Sequence, residues 1–296
     1  MDIGIIGGGS IGLLAAGLLS SNHNVLIYVR RTEQAELLNA NGLYVKMLDG
    51  KERLFPVRAV PIHELSKTDL LLVCVKQPEL PGVLCEISKL DRQLPLVFLQ
   101  NGMSHLELIE DLENPVFVGI TSHGAIRTDD HHVSHTGLGI TRVGTFNAAA
   151  LSRRELLREL RTETFPAAYI ADWRTALKEK LVVNAVINPL TAVYGVLNGA
   201  ILENERLCLM AQALCREAAG ILRLDPEASW RRIQEVAGLT KGNRSSMLQD
   251  IESGRATEAD AILGFLLRDG EKNNYLRFMY ESIKILEEKR EIPKQP

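Results

Sequence analysis

The chain begins MDIGIIGGGSIG, and no other stretch restricts its fold as strongly. Five residues of strand character, Asp2–Ile6, run directly into glycines and then into a helical segment from Ser10 to Ser21. The spacing is Gly7-x-Gly9-x-x-Gly12, with Gly8, Ser10 and Ile11 completing the loop. In such a loop the first glycine permits a tight turn and the second lets a pyrophosphate approach the backbone. The third lets helix and strand pack closely, and the helix N-terminus faces the phosphates. The pattern alone is weak, but between a strand and a helix it predicts a dinucleotide site. A glycine turn without a ligand would not require all three glycines at these places.

The following segments extend that frame. NVLIYV (Asn24–Val29), DLLLVCV (Asp69–Val75), PLVFLQ (Pro95–Gln100) and PVFVGI (Pro115–Ile120) read as strands separated by helical stretches. The continuous apolar run from Asp69 to Val75 is that of a parallel strand covered on both faces. The alternation predicts an α/β fold with an N-terminal Rossmann-type doubly wound sheet. HHVSHTGLGITRVG (His131–Gly144) reads as two strands around a Thr-Gly turn, an antiparallel edge. Near Phe165–Asp172 the pattern changes, and helical periodicity dominates to the end. The expected organisation is a dinucleotide-binding domain over 1–168 and an all-helical domain over 169–296. The final IPKQP is expected to fray.

Composition excludes several classes of partner. Of 296 residues, 46% are hydrophobic and 24% charged, the balance of a soluble globular protein. A net charge of −3 gives no reason to expect nucleic acid or an acidic membrane surface. The N-terminus lacks the basic region of a signal peptide, and no apolar run is long enough to span a bilayer, so a cytoplasmic protein is expected. Cys74, Cys85, Cys208 and Cys215 form no C-x-x-C pair and read as reduced, buried thiols.

The end of the second strand selects the cofactor. Where NAD enzymes usually carry Asp or Glu, this chain has YVRRT, with Arg30 and Arg31. A carboxylate would repel a 2′-phosphate, whereas a guanidinium can clamp it with two charge-assisted bonds. NADPH is therefore favoured over NADH. Two later strand ends carry Lys76 with Gln77, and Asn101 with Gly102. Ligands of open α/β sheets bind beyond the carboxyl ends of the strands, although both spots also suit ordinary polar loops.

In the second half, KEKLVVNAVINPL places Lys180, Asn184 and Asn188 four residues apart within an apolar helical segment. Positions four apart stack on one helix face, so the three polar heads form a strip about 12 Å long, the size of a small metabolite. Burying them without partners would cost on the order of 1–3 kcal/mol each. A solvated face or an internal hydrogen-bond network would also account for the strip. Asn188 precedes Pro189, which predicts that the helix kinks or ends there.

Taken together, GGGSIG, VKQ, QNGM, KLVVNAVINPLTA, VLNG and NRSSMLQDIESGRATEAD resemble the ketopantoate reductase (2-dehydropantoate 2-reductase) family over nearly the whole chain. The resemblance implies NADPH-dependent reduction of ketopantoate to (R)-pantoate, toward pantothenate and coenzyme A. It assigns Lys180 as the catalytic lysine and Glu258 as the family's glutamate, which either orients Lys180 or accepts from a hydroxyl. It places Asn184, Asn188, Asn198, Asn243 and Ser246 around the substrate, and Arg30, Lys76 and Asn101 around the cofactor. Lys180 then serves as general acid, with burial lowering its pKa toward a better match for proton transfer. A small keto acid is the expected partner, and a homodimer is left open. The chain departs from the family in a shortened turn near Asp269–Asn274. HHVSH is read as a polar edge, with no carboxylate or cysteine at ligand spacing and no metal expected. Trp173 and Trp230 are read as packing residues. Two other readings keep part of the pattern: reduction of another branched 2-keto acid, and a non-catalytic NADP sensor, which would not need the lysine, asparagines, serine and glutamate together.

Overall fold

The computed structural model describes residues 1–268 and 273–289. Residues 269–272 of the shortened turn and the terminal IPKQP lie outside the described residues. The chain divides into two compact units, Met1–Gln100 with His105–Trp173, and Asn101–Ser104 with Arg174–Pro296.

The first unit contains β1 (Asp2–Ile6), β2 (Asn24–Val29), β3 (Leu43–Lys46), β4 (Glu52–Phe55), β5 (Arg58–Pro61) and β6 (Leu70–Val73). It continues with β7 (Leu96–Phe98), β8 (Val116–Thr121), β9 (Gly124–Arg127), β10 (His132–Gly137), β11 (Thr141–Thr145) and β12 (Ala167–Tyr169). The main sheet has the order β12-β11-β8-β7-β6-β1-β2-β5. From β5 across to β8 every pairing is parallel. The strand order reverses between β1 and β6, the topological switch point at which such sheets bind ligands. Ile3, Ile5, Leu14, Leu18, Ile27, Leu72 and Val97 fill the core, consistent with strands that read as apolar runs.

The two strands within His131–Gly144 exist, but they do not form a hairpin. β10 joins β9, β3 and β4 in a separate four-stranded sheet, while β11 pairs antiparallel with β8 in the main sheet. The reason lies between them. The pairing of β10 with β9 is irregular between His135 and Gly137, and Gly139 packs so tightly that a Cβ there would sit 2.3 Å from the His123 nitrogen. The stretch after Gly137 is therefore a crossing from one sheet to the other.

The second unit is helical. Its longest helix, Trp173–Tyr194, begins at the junction of the units and runs through Pro189 instead of ending there. Proline removes one backbone bond, but Leu181, Val182, Ala185, Val186 and Leu190 are all buried on this helix. Thr191 Oγ1 also donates to the carbonyls of Ile187 and Asn188, supporting the turn around the proline. The helices Glu205–Leu222, Pro226–Leu239 and Ser246–Glu252 start at Asn204, Asp225 and Ser245, whose side chains accept from first-turn N–H groups. A π-helix, Asp260–Gly264, and a last helix, Asn274–Glu288, complete the unit. No helix among the described residues is long and apolar enough to cross a membrane. All four cysteines are free: Cys215 is buried, the Cys74 thiol is also enclosed, with burial pushing its pKa up to about 12, Cys208 is half-buried and Cys85 is exposed.

Candidate active site

The glycine loop has the geometry its spacing implies. Gly7 has φ +117°, a conformation that side chains rarely adopt, and its N–H donates to the Tyr28 carbonyl at 2.9 Å. At Gly12 a Cβ would sit 1.9 Å from the Gly7 carbonyl oxygen, so only glycine lets helix and loop approach this closely. At Gly9 the same construction meets no atom within 4 Å. Gly9 is also the N-cap of the helix Ser10–Ser20, makes no side-chain cap bond and is followed by no acidic residue in the first turn. Open space beside a free helix N-terminus fits a pyrophosphate. The loop is braced from outside: Gln34 Nε2 and the Arg127 guanidinium both donate to the Gly8 carbonyl, and Arg127 N–H donates to Ser10 Oγ.

Arg30 follows β2 and is largely exposed, with an ion pair to Glu79 at 2.9 Å. Such surface pairs are worth about 0–1 kcal/mol, so the guanidinium can exchange this partner for a phosphate at little cost. Arg31 is bonded to Asp130, which Arg127 also approaches at 3.5 Å. Lys76 stands at the end of the β6 segment, beside Gln77, whose side chain lies 3.5 Å from His105 Nδ1.

In the helical unit three distant segments meet. Lys180 Nζ donates to Asn101 Oδ1 at 2.9 Å, and Asn101 Nδ2 donates to Glu258 Oε2 at 2.9 Å. Gly102 holds this arrangement in place. Its φ is +78°, and a Cβ there would sit 2.2 Å from the Ala261 carbonyl oxygen, inside the π-helix that follows Glu258. π-Bulges occur frequently at functional sites. Burial lowers the pKa of the Lys180 ammonium to about 8, against an opposing pull from the Glu258 carboxylate. The strip read from the sequence continues along the helix: Asn184 is half-buried, and Asn188 is buried with Nδ2 3.5 Å from Ser246 Oγ. Ser246 itself is exposed. Its neighbour Ser245 is buried, caps its helix and accepts from Thr191 Oγ1 at 2.7 Å. The Ser-Ser pair thus divides into one structural and one accessible hydroxyl, a split that the sequence does not signal.

Asn198 is also buried. Its N–H donates to the Asn243 carbonyl and its Nδ2 to Thr240 Oγ1, while its Oδ1 is buried with no hydrogen-bond partner. A buried acceptor without a donor costs on the order of 1–3 kcal/mol. A ligand hydroxyl would satisfy it. Asn243 enters this arrangement through its backbone, which also ties Asn243 N–H to the Thr240 carbonyl.

The reading of HHVSH missed a carboxylate just upstream. Asp129, His131 and His132 bring one ligand atom each within 4.8 Å of one another. Asp129 Oδ1 accepts from the N–H groups of both histidines, and His132 Nδ1 lies 3.0 Å from it. An Asx turn accounts for this cluster without an ion.

The family model described as "Ketopantoate reductase PanE/ApbA" matches residues 3–148, and its C-terminal counterpart matches 172–285. A 2-dehydropantoate 2-reductase of Bacillus subtilis strain 168 is 41% identical over 97% of this chain and 98% of its own length. The solved structure of a probable 2-dehydropantoate 2-reductase from Bacillus subtilis, also 41% identical, has a TM-score of 0.86 over 97% of this chain and 100% of that one. A D-mandelate dehydrogenase solved with NADH and anilino(oxo)acetate shares the fold at 22% identity, with a TM-score of 0.91 over 99% of this chain and 100% of that one. On both family models and the near-full-length identity, the chain belongs to the ketopantoate reductase family.

Proposed function

We propose that this chain is an NADPH-dependent 2-dehydropantoate 2-reductase, reducing ketopantoate to (R)-pantoate. The observation that carries this reading is the hydrogen-bonded sequence Lys180–Asn101–Glu258. A 2-ketone reduction needs a hydride at the carbonyl carbon and a proton at the carbonyl oxygen. The bound nicotinamide cofactor supplies the hydride. Lys180 supplies the proton from Nζ, and as an ammonium it stabilises the negative charge developing on that oxygen. The Glu258 carboxylate, bonded to the same Asn101, favours the charged lysine by Coulombic attraction, against the burial that lowers its pKa.

Asn184, Asn188 and Ser246 are proposed to bind the substrate's carboxylate and keto oxygens, and Asn198 its hydroxyl. The partnerless Asn198 Oδ1 favours ketopantoate over branched 2-keto acids that lack a hydroxyl. A site built to bind a hydroxyl rejects the analogue without one. In this reading residues 1–168 form the cofactor domain and 169–296 the substrate domain. Gly7 to Gly12, Arg30 and Lys76 hold the cofactor. Asn101, expected from the sequence beside the cofactor, has its bonds with Lys180 and Glu258 and is assigned to the catalytic group. NADPH is preferred on the strength of Arg30, whose present partner is easily exchanged.

The test is the initial rate of NADPH oxidation with ketopantoate, compared with 3-methyl-2-oxobutanoate and with NADH. The expected result is turnover of ketopantoate with NADPH, and much slower turnover of the analogue. Equal rates with both keto acids would remove the role of Asn198. Tight NADPH binding without turnover across a keto acid panel would favour a sensor.

A further inference from the structure

We propose that the last helix is the positioning element for Glu258, holding the glutamate from both sides through Glu287, Tyr280 and Lys284. This rests on the reading of Glu258 as the partner of the catalytic lysine. On one side, Glu287 Oε1 accepts from both the N–H and the Oγ1 of Thr257, each at 2.7 Å. Thr257 Oγ1 in turn accepts from Ala259 N–H, fixing the start of the helical turn that carries Glu258. On the other side, Asp260 accepts from the Tyr280 hydroxyl at 2.6 Å and from Lys284 Nζ at 3.3 Å. Lys284 closes the arrangement with an ion pair to Glu287 at 2.8 Å. Residues 257 and 260 are therefore both anchored to the face of one helix, and residue 258 lies between them.

Of the two acidic anchors Glu287 is the more enclosed, with 17% of its side chain exposed against 69% for Asp260. Burial opposes ionisation of Glu287, yet the bonds from Lys284 and Thr257 hold its carboxyl below the ordinary value. The bond from Glu287 raises Lys284 to about 12. Both groups stay charged across neutral pH, so the anchor does not titrate where the lysine does. An ordinary helix contact would not need a carboxylate that satisfies a threonine twice beside an ion pair. Thr257 is held at its backbone N–H and hydroxyl and Asp260 at its carboxylate, so the turn that carries Glu258 is anchored on both sides.

Two readouts test the proposal: the Lys180 titration, followed by NMR of isotope-labelled lysine, and the pH profile of kcat. The groups bearing on that titration are Glu258 and, through the anchor, Asp260, Lys284 and Glu287. Glu258→Gln sets the reference, an acid-ward shift of the Lys180 titration. Glu287→Ala is expected to shift the titration in the same direction and to lower kcat roughly 10- to 100-fold, as small misplacements do. NADPH affinity should be retained. Glu287→Gln keeps an acceptor for Thr257 and is expected to restore most of the loss. Tyr280→Phe, which changes one hydroxyl, gives a smaller shift of the same sign. A Glu287→Ala protein that melts earlier but titrates Lys180 as the native chain does would overturn the proposal. The titration is read without turnover, so a chain inactive on every keto acid would defeat the functional reading and leave this test standing.

Discussion

In the sheet unit the candidate binding groups belong mainly to the backbone, whereas in the helical unit they are side chains drawn from residues 101, 180 and 258. The glycine loop works by what it lacks: a Cβ at Gly12 would meet the Gly7 carbonyl at 1.9 Å, and one at Gly9 would enter open space. The lysine site works by what it assembles, through bonds spanning 79 and 157 residues of sequence. A site made of backbone tolerates changes of side chain around it and fails when a glycine is lost. A site made of side chains tolerates nothing at the reacting group and depends on distant segments for its geometry.

Lys180→Ala should separate the two most sharply. Loss of a general acid typically costs about 10²- to 10⁴-fold in rate. The sheet unit is untouched by the change, so NADPH affinity by fluorescence titration should be retained. If the variant loses cofactor binding as well, the separation between the units fails. Gly102→Ala should give the next largest effect. The added Cβ meets the Ala261 carbonyl, and the φ of +78° disfavours it independently. Displacement of Asn101 is expected to lower kcat roughly 10- to 100-fold while leaving the NADPH dissociation constant unchanged. A raised dissociation constant with normal kcat would return Asn101 to the cofactor side.

The third effect is a matter of pH. On the proposed role of Lys180 as general acid, it must carry its proton, and burial brings it to about 8. The rate of reduction should therefore be level below that value and fall as pH rises through it, approaching tenfold per unit. A rate level up to pH 10 would mean that Lys180 is not the titrating acid. Glu258→Gln should move the fall to lower pH, because the carboxylate's support for the charged form is removed.

How much of this was legible from sequence follows from the same difference. The main strand segments, the glycine loop and the strip Lys180–Asn184–Asn188 come from local periodicity and spacing, which sequence displays directly. The position of Asn101 does not. Asn-Gly reads as a turn, and nothing nearby in the chain indicates that Gly102 packs on a π-helix some 160 residues later. The separation of β10 from β11 escaped for a similar reason, since two adjacent strands with a Thr-Gly pair read as a hairpin. Ser245 and Ser246 are chemically identical in sequence and are told apart by burial, by the helix cap and by which of them Thr191 reaches. Pro189 left two outcomes open from sequence, a kink or an end, and buried packing carries the helix on.

The smallest expected effect concerns stability, and again it divides the units. In the sheet unit His123 and His135 are buried, with His123 Nδ1 3.3 Å from His135 Nε2 and the His123 ring stacked on Phe165. Burial, reinforced by His135, lowers His123 from 6.5 to about 4. The unfolded chain therefore binds a proton in this window that the folded chain refuses. Stability is complete above pH 6.5 and is lost as pH falls toward 4, at about 1 kcal/mol per pH unit. In the helical unit the Glu287 carboxyl is held below its ordinary 4.5 and Lys284 keeps its proton to about 12, so that pair contributes little slope between pH 7 and 5 and weakens only as pH falls further. Hydrogen exchange at pH 7, 6 and 5 should thus show β8 and β11 losing protection before the helices. His123→Leu should flatten that loss. Equal loss of protection in both units, unchanged by His123→Leu, would place the acid sensitivity elsewhere.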